Sequence, residues 1–242
     1  MKKYINLLSI GILFITFGCE EEDNLPFTAA SLQVVHTAVN APDVHINYFG
    51  RDITFSSNPV VSYNEEIRFT LPTDMSNEVR IVSVTDTLSQ LFSTSIALEV
   101  GELGTLFLTG EGENIEGLFF NERLPTLTDS LIGVRFLNLS PDSNPVSVTV
   151  VGQDGEQLAS DLSYLDDSGY LELAATQDIG MYTFEFSDVD DNVLATTALE
   201  VIPGRGTKAV FQSQTFALIG RSDDGNGGNS LEVLRINHYL KR

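Results

Sequence analysis

The 242-residue chain has one cysteine, no tryptophan, three histidines and only 13 basic residues. The single cysteine, Cys19, excludes an internal disulfide. No Cys-x-x-Cys or His-x-x-x-His spacing occurs, so a zinc site has no ligand frame. There is no Gly-x-Ser-x-Gly elbow to raise a serine nucleophile. His36, His45 and His238 are scattered and read as ordinary strand residues, although His45 stands two positions from Asp43. Without tryptophan, sugar stacking would fall to Tyr48, Tyr63, Tyr164 and Tyr170. The shortage of basic residues against 34 acidic ones sets a net charge of −21. That charge repels nucleic acid phosphates and disfavours docking on anionic headgroups. It favours solubility, cations or basic partners. With so many carboxylates, pairs suited to glycoside hydrolysis carry no information.

What is present begins at the first residue. Lys2 and Lys3 form a short positive segment, and residues 5–17 an apolar run broken only by Asn6, Ser9, Gly11 and Thr16. About thirteen residues are too few for a stable spanning helix, which needs roughly 20, and suit a secretory signal. Gly18 supplies the small residue before Cys19. The stretch Thr16-Phe17-Gly18-Cys19 resembles a bacterial lipobox, with Thr16 where leucine is usual. The expectation is a signal peptide over 1–18, cleaved between Gly18 and Cys19, with acyl chains (palmitate among them) on Cys19. Two or more chains anchor a protein durably, at about 0.8 kcal/mol per buried methylene. Cleavage would leave 224 residues with 11 basic against 34 acidic, a net −23.

Glu20, Glu21, Glu22 and Asp23 follow directly. A like-charge run repels itself and stays extended, so residues 19–29 read as an acidic tether. An acidic cluster after the lipidated cysteine also resembles the export signal of Bacteroidota-type lipoproteins. It implies lipid anchoring in the outer membrane, exposed at the cell surface; the alternative is the periplasmic face.

From Leu32 the pattern becomes alternating. Val44-His45-Ile46, Ile67-Arg68-Phe69-Thr70-Leu71, Val146-Ser147-Val148 and Tyr182-Thr183-Phe184 have the period of two that marks half-buried strands. Turn signals recur at short spacing, among them Ala41-Pro42-Asp43, Ser140-Pro141-Asp142 and Asp154-Gly155. This predicts an all-β protein built of sandwiches. The chain also repeats itself at a period near 101 or 102. Val44 and Ile46 align with Val146 and Val148, and Ser62-Tyr63 with Ser163-Tyr164. Val82 and Val84 align with Phe184 and Phe186, Leu98 with Leu199, and Gly104-Thr105 with Gly206-Thr207. Two tandem immunoglobulin-like antiparallel sandwiches follow, over 30–125 and 130–242. The second carries an extra or closing C-terminal strand, because Ser230-Leu231-Glu232-Val233-Leu234-Arg235-Ile236 resembles the opening Ser130-Leu131-Ile132-Gly133-Val134-Arg135-Phe136; a truncated third repeat is the alternative.

Residues Val34-Val35-His36-Thr37-Ala38-Val39-Asn40-Ala41-Pro42-Asp43-Val44-His45-Ile46 resemble the opening motif of domain-of-unknown-function family 4397. The first unit keeps His36 and Ala41-Pro42; the second keeps Ser140-Pro141-Asp142. The resemblance implies secreted or lipid-anchored all-β modules, often in tandem, and implies no activity.

The calcium candidates are Asp188, Asp190 and Asn192, which place oxygens at the first, third and fifth positions as calcium loops do. Val193 then stands where glycine is needed, so the stretch also reads as a hairpin turn. The expected function is a non-enzymatic, lipid-anchored binding or scaffolding module without cofactor. It would meet an extracellular protein or glycan, not nucleic acid. A calcium-stabilised adhesin or a surface glycan or protein hydrolase is the alternative.

Overall fold

A computed structural model describes residues 28–48, 58–73, 76–128, 130–152, 155–176, 178–201, 212–223 and 229–238. The leader, Gly18, Cys19 and the acidic run Glu20 to Asp23 lie outside them. Among the described residues the regular structure is all β, in sixteen strands. The first eight are β1 (Ala29–His36), β2 (Val44–Asn47), β3 (Val60–Val61), β4 (Glu65–Pro72), β5 (Asn77–Ser83), β6 (Gln90–Ile96), β7 (Leu103–Glu111) and β8 (Asn114–Asn121). The next eight are β9 (Leu131–Asn138), β10 (Val146–Val150), β11 (Gln157–Leu162), β12 (Leu171–Ala174), β13 (Met181–Ser187), β14 (Val193–Glu200), β15 (Ser213–Ile219) and β16 (Glu232–His238).

They form four four-stranded sheets. In the first half, sheet A has the order β4-β1-β7-β8 and sheet B the order β3-β2-β5-β6. Sheet C (β12-β9-β15-β16) and sheet D (β11-β10-β13-β14) repeat that plan in the second half. Leu32, Val34, Ile46, Ile81, Leu106 and Leu108 fill the space between A and B. Phe136, Val148, Phe184, Phe186, Phe216 and Leu218 fill that between C and D. The pairing is antiparallel except for β1 with β7 and β9 with β15, which run parallel.

The common plan fixes which residues correspond, and it corrects three alignments. Ile46 lies opposite Ile81 and Val148 opposite Phe186. Phe186 therefore answers to Ile81, not to Val84. Leu199 answers to Ile96, not Leu98, because they face Tyr182 and Asn77 at the same step of their ladders. His36 faces Leu108 and Asn138 faces Leu218, so Gly104-Thr105 corresponds to Gln214-Thr215; Gly206 and Thr207 lie outside the described residues. Insertions between strands widen the spacing along the chain. A fixed period finds the first strands and loses the later ones. The Ser62-Tyr63 match with Ser163-Tyr164 holds: Asn64 N–H and Leu165 N–H bond the carbonyls of His36 and Asn138, and Glu65 and Asp166 cap the Ser62 and Ser163 amides. β16 is not an extra strand. It pairs with β15 as β8 pairs with β7, completing the same four-stranded plan.

The second departure concerns burial. Period-two patterning predicts strands with one wet face, yet β1, β7, β9 and β15 are buried almost throughout. Sheets A and C pack on each other with their outer faces. Val35, Phe107, Leu137, Ala217, Ile219 and Ile236 make a third core there, joined at its margin by Tyr63, Leu118, Phe120 and Leu234. Strands covered on both faces lose their polar stripe. The layers thus run B, A, C, D.

Two turns repeat a backbone constraint. Gly110 and Gly220 have φ of 98° and 93°. A β-carbon on either would lie 2.3 Å or 2.1 Å from the carbonyl oxygen of Asn114 or Ser230. Gly110→Ala should destabilise the protein by about 2 kcal/mol or more, since backbone must yield. Gly112→Ala, with φ of 61° and open space around the added carbon, should cost about 1 kcal/mol. Urea denaturation of the two variants measures the difference.

Candidate functional site

Titratable chemistry is concentrated at the junction of sheets A and C. Side chains on the junction faces of β1, β7, β9 and β15 alternate with those entering the two sandwich cores, so Gln33, Thr105, Arg135 and Thr215 turn toward the opposing sheet. All four are buried. Glu122 and His238 follow from the ends of β8 and β16.

Arg135 organises the cluster. Its Nη2 donates to Glu122 Oε1 at 2.8 Å and its Nε to Thr215 Oγ1 at 3.0 Å. The guanidinium lies 4.2 Å from the Phe120 ring centre and 4.8 Å from that of Tyr170. Tyr170 donates its hydroxyl to Glu122 Oε2 at 3.0 Å. Thr215 Oγ1 is 2.8 Å from His238 Nε2, and His238 Nδ1 is 3.8 Å from Glu122 Oε1. Burial pushes the Tyr170 hydroxyl well above the usual tyrosine range. Beside this lies a second chain of contacts. Arg68 donates to Gln33 Oε1 and to the Asn237 carbonyl, and Gln33 donates to Glu66 Oε2 at 2.6 Å. Burial holds the Glu66 carboxyl above the ordinary range, against the opposing pull of Gln33 and Arg68.

The two halves meet as an isologous pair. Gly104 faces Asn121 and Gln214 faces Asn237, so Glu122 and His238 are equivalent positions that touch each other. Gln33 and Arg135 are equivalent in the same way. At a two-fold axis identical residues meet themselves. Two glutamates there would repel in a low dielectric; an acid against an imidazole does not. The difference shows also at the margin. Tyr164 shares a 3.1 Å hydrogen bond with Thr109. The equivalent of Thr109 is Ile219, and the buried Tyr63 hydroxyl has no partner among the described residues.

A hydroxyl, an imidazole and a carboxylate in the order Thr215, His238, Glu122 carry the parts of a nucleophilic relay. Here they are sealed. Thr215 and His238 are 0% and 2% exposed, and Arg135 already occupies both Glu122 and Thr215. The separation of 3.8 Å is no hydrogen bond. The arrangement joins two sheets and gives a substrate no approach. An open hollow of about 360 Å³ beside the segment after β8 is lined by Gly101, Glu102, Leu103, Arg123 and Leu124 among others. The Glu102 carboxylate there is committed to the Glu99 amide at 2.7 Å.

Of the residues singled out in the sequence, His238 and Tyr170 belong to this cluster; His36, His45 and Asp188 lie elsewhere. His36 donates from Nε2 to the Pro42 carbonyl at 3.1 Å, and burial lowers its pKa. His45 lies on β2 with Nδ1 3.4 Å from the Pro59 carbonyl. Asp188 accepts the amides of Asp190 and Asn192 and the Asn192 side chain, so its oxygens close the β13–β14 turn. Among the described residues no group of three or more His, Cys, Asp or Glu is placed to hold a metal ion. Tyr48 lies 4.1 Å from Phe69, and Tyr63, Tyr164 and Tyr170 line the junction. What sequence reading missed is the Arg135, Glu122 and His238 cluster. The only signal was that Arg135 interrupts the otherwise mostly apolar strand β9.

Arg135→Met should destabilise the protein by about 3–5 kcal/mol, because it leaves Glu122 buried without its counter-charge. The double variant Arg135→Met, Glu122→Gln should recover much of that loss, as read by urea denaturation. Tyr164→Phe should cost about 1 kcal/mol, whereas Tyr63→Phe should be neutral or stabilising, since it removes an unpaired buried hydroxyl; calorimetry of the two variants compares them.

No family model matches the chain, and no curated protein does. Three solved structures are similar to it at a distance. One is a streptococcal virulence factor described for alpha-glucan binding, with 10% identity and a TM-score of 0.27, over 81% of this chain and 95% of that one. The second is SpuA, a multi-modular glycogen-degrading pneumococcal virulence factor, with 9% identity and a TM-score of 0.26, over 81% of this chain and 21% of that one. The third is a proposed adhesin from Bacteroides ovatus, with 9% identity and a TM-score of 0.26, over 88% and 96%.

Proposed function

We propose that the protein is a non-enzymatic, lipid-anchored module of the cell surface that binds or scaffolds an extracellular protein or glycan through the loops at one end. One observation carries this reading. The chain enters β1 at Ala29, and β1 ends at His36, so residues 37–43 lie at the end away from that entry. The turns after β5 and β7 join them there, since Val84 bonds Asp43 and Val39 bonds Gly110. The corresponding loops of the second half come to the same end. Arg221 bridges Glu111 and Asp142, Asn229 accepts the Asn40 amide, and Asp142 accepts the Ser222 amide. Both sandwiches thus offer one composite surface, at the end away from the start of β1.

That surface is acidic, and Leu88 at the β5–β6 turn is 97% exposed. Loops held by a rigid scaffold are where binding function concentrates. The anchor on Cys19, the address read from Glu20 to Asp23 and the outward orientation rest on the sequence.

Cys19→Ala should move the protein from the membrane to the soluble fraction and abolish acyl-chain labelling. Protease applied to intact cells should degrade the body, and neutral residues in place of Glu20 to Asp23 should protect it. Membrane retention of Cys19→Ala would refute the anchor.

A further inference from the structure

We propose that the junction between sheets A and C is an acid-sensitive hinge: proton uptake by His238 parts the two faces while each sandwich stays folded. The geometry supplies three conditions. First, the imidazole stands at the centre of the junction, 2% exposed, where the two halves meet as equivalent surfaces. Second, its surroundings suit a neutral ring. Thr215 Oγ1, 2.8 Å from His238 Nε2, is already shared with Arg135 Nε, and Glu122, bonded to Arg135 and Tyr170, lies 3.8 Å from Nδ1, too far to take an added proton in a hydrogen bond. Third, each sandwich has its own core, made of residues separate from those of the junction.

The charged and titratable groups facing His238 come from four elements. Glu122 after β8 favours the protonated ring; Arg135 on β9 and Arg68 on β4 oppose it; Tyr170 packs against it edge-on at 6.2 Å. Burial is the largest influence and holds His238 down to about 4, against 6.5 for a free ring. The sign follows. A depressed imidazole keeps the junction closed at neutral pH, and closure weakens as pH falls from 6.5 toward 4, because the open form binds the proton more readily. The ratio of open to closed junction rises about twentyfold between pH 7 and pH 5. Glu66, raised by burial, acts the other way, since its protonation favours the closed form. The bridges of Arg221 at the loop end are partly exposed and offer little resistance.

The test uses the full chain with Cys19→Ala and one reporter cysteine, titrated with dithiodipyridine at pH 7 and pH 5. Ala217→Cys reports the junction, Val148→Cys the core of the second sandwich, and Leu88→Cys, on a fully exposed side chain, normalises the chemistry. The hinge predicts that normalised labelling of Ala217→Cys rises about twentyfold at pH 5, that Val148→Cys does not follow, and that adding His238→Gln removes the rise. No rise, a rise that survives His238→Gln, or a parallel rise at Val148→Cys overturns it. Small-angle scattering of the unsubstituted chain is the second measurement: the radius of gyration should increase at pH 5, and an unchanged value counts against the hinge.

Discussion

Everything in this molecule depends on the burial of one sheet face against another. Sheets A and C could each have kept a solvated outer face, as antiparallel sheets commonly do. They cover each other instead, and a third apolar core forms between them. The same contact takes a guanidinium, a carboxylate and an imidazole out of water. Such groups are tolerated inside only when paired and hydrogen-bonded. Arg135 meets that requirement with two hydrogen bonds and two aromatic faces. A buried ion pair of this kind adds less to stability than to the definition of one register between the sheets, because a slip would strand both charges.

The junction also explains the division of labour between the repeats. Equivalent positions meet across it, so each half had to become unlike the other at the contact. Glu122 against His238 is the result at the centre, and the equivalent positions Gln33 and Arg135, and Thr109 and Ile219, differ as well. Away from the contact the halves keep the same strand order and the same glycine turns. Stacking the two halves side by side brings their loops to one end. The surface their loops form together is then wider than either sandwich would present alone.

Much of the architecture was legible. Alternation in Val44 to Tyr48 and in Val146 to Val150 encodes strands with one apolar face, and collinear matches encode two units of one design. Both signals are local or nearly so: period two follows from the pleat, and repetition follows from copying. The fixed period failed where insertions lengthened the later loops. That β16 closes the second unit in the place of β8, and does not add to it, is hidden in the sequence because Val233 and Arg235 stand where β8 has Gly117 and Phe119. Asp188 and Asn192 were legible only as oxygen-bearing residues; whether they face a cation or each other depends on the turn, where Asn192 bonds Asp188 directly.

The sequence by itself determined the all-β class, the two-unit plan, the acidic charge and the lipobox-like pattern before Cys19, because each rests on residue type and spacing along the chain. The tertiary structure alone decided that β1, β7, β9 and β15 are buried on both faces, that His238 meets Glu122 across more than a hundred residues of chain, and that the loops of both halves share one end. Those outcomes depend on which face one sheet presents to another. That choice is made by the fit of side chains from distant strands, and no local pattern encodes it.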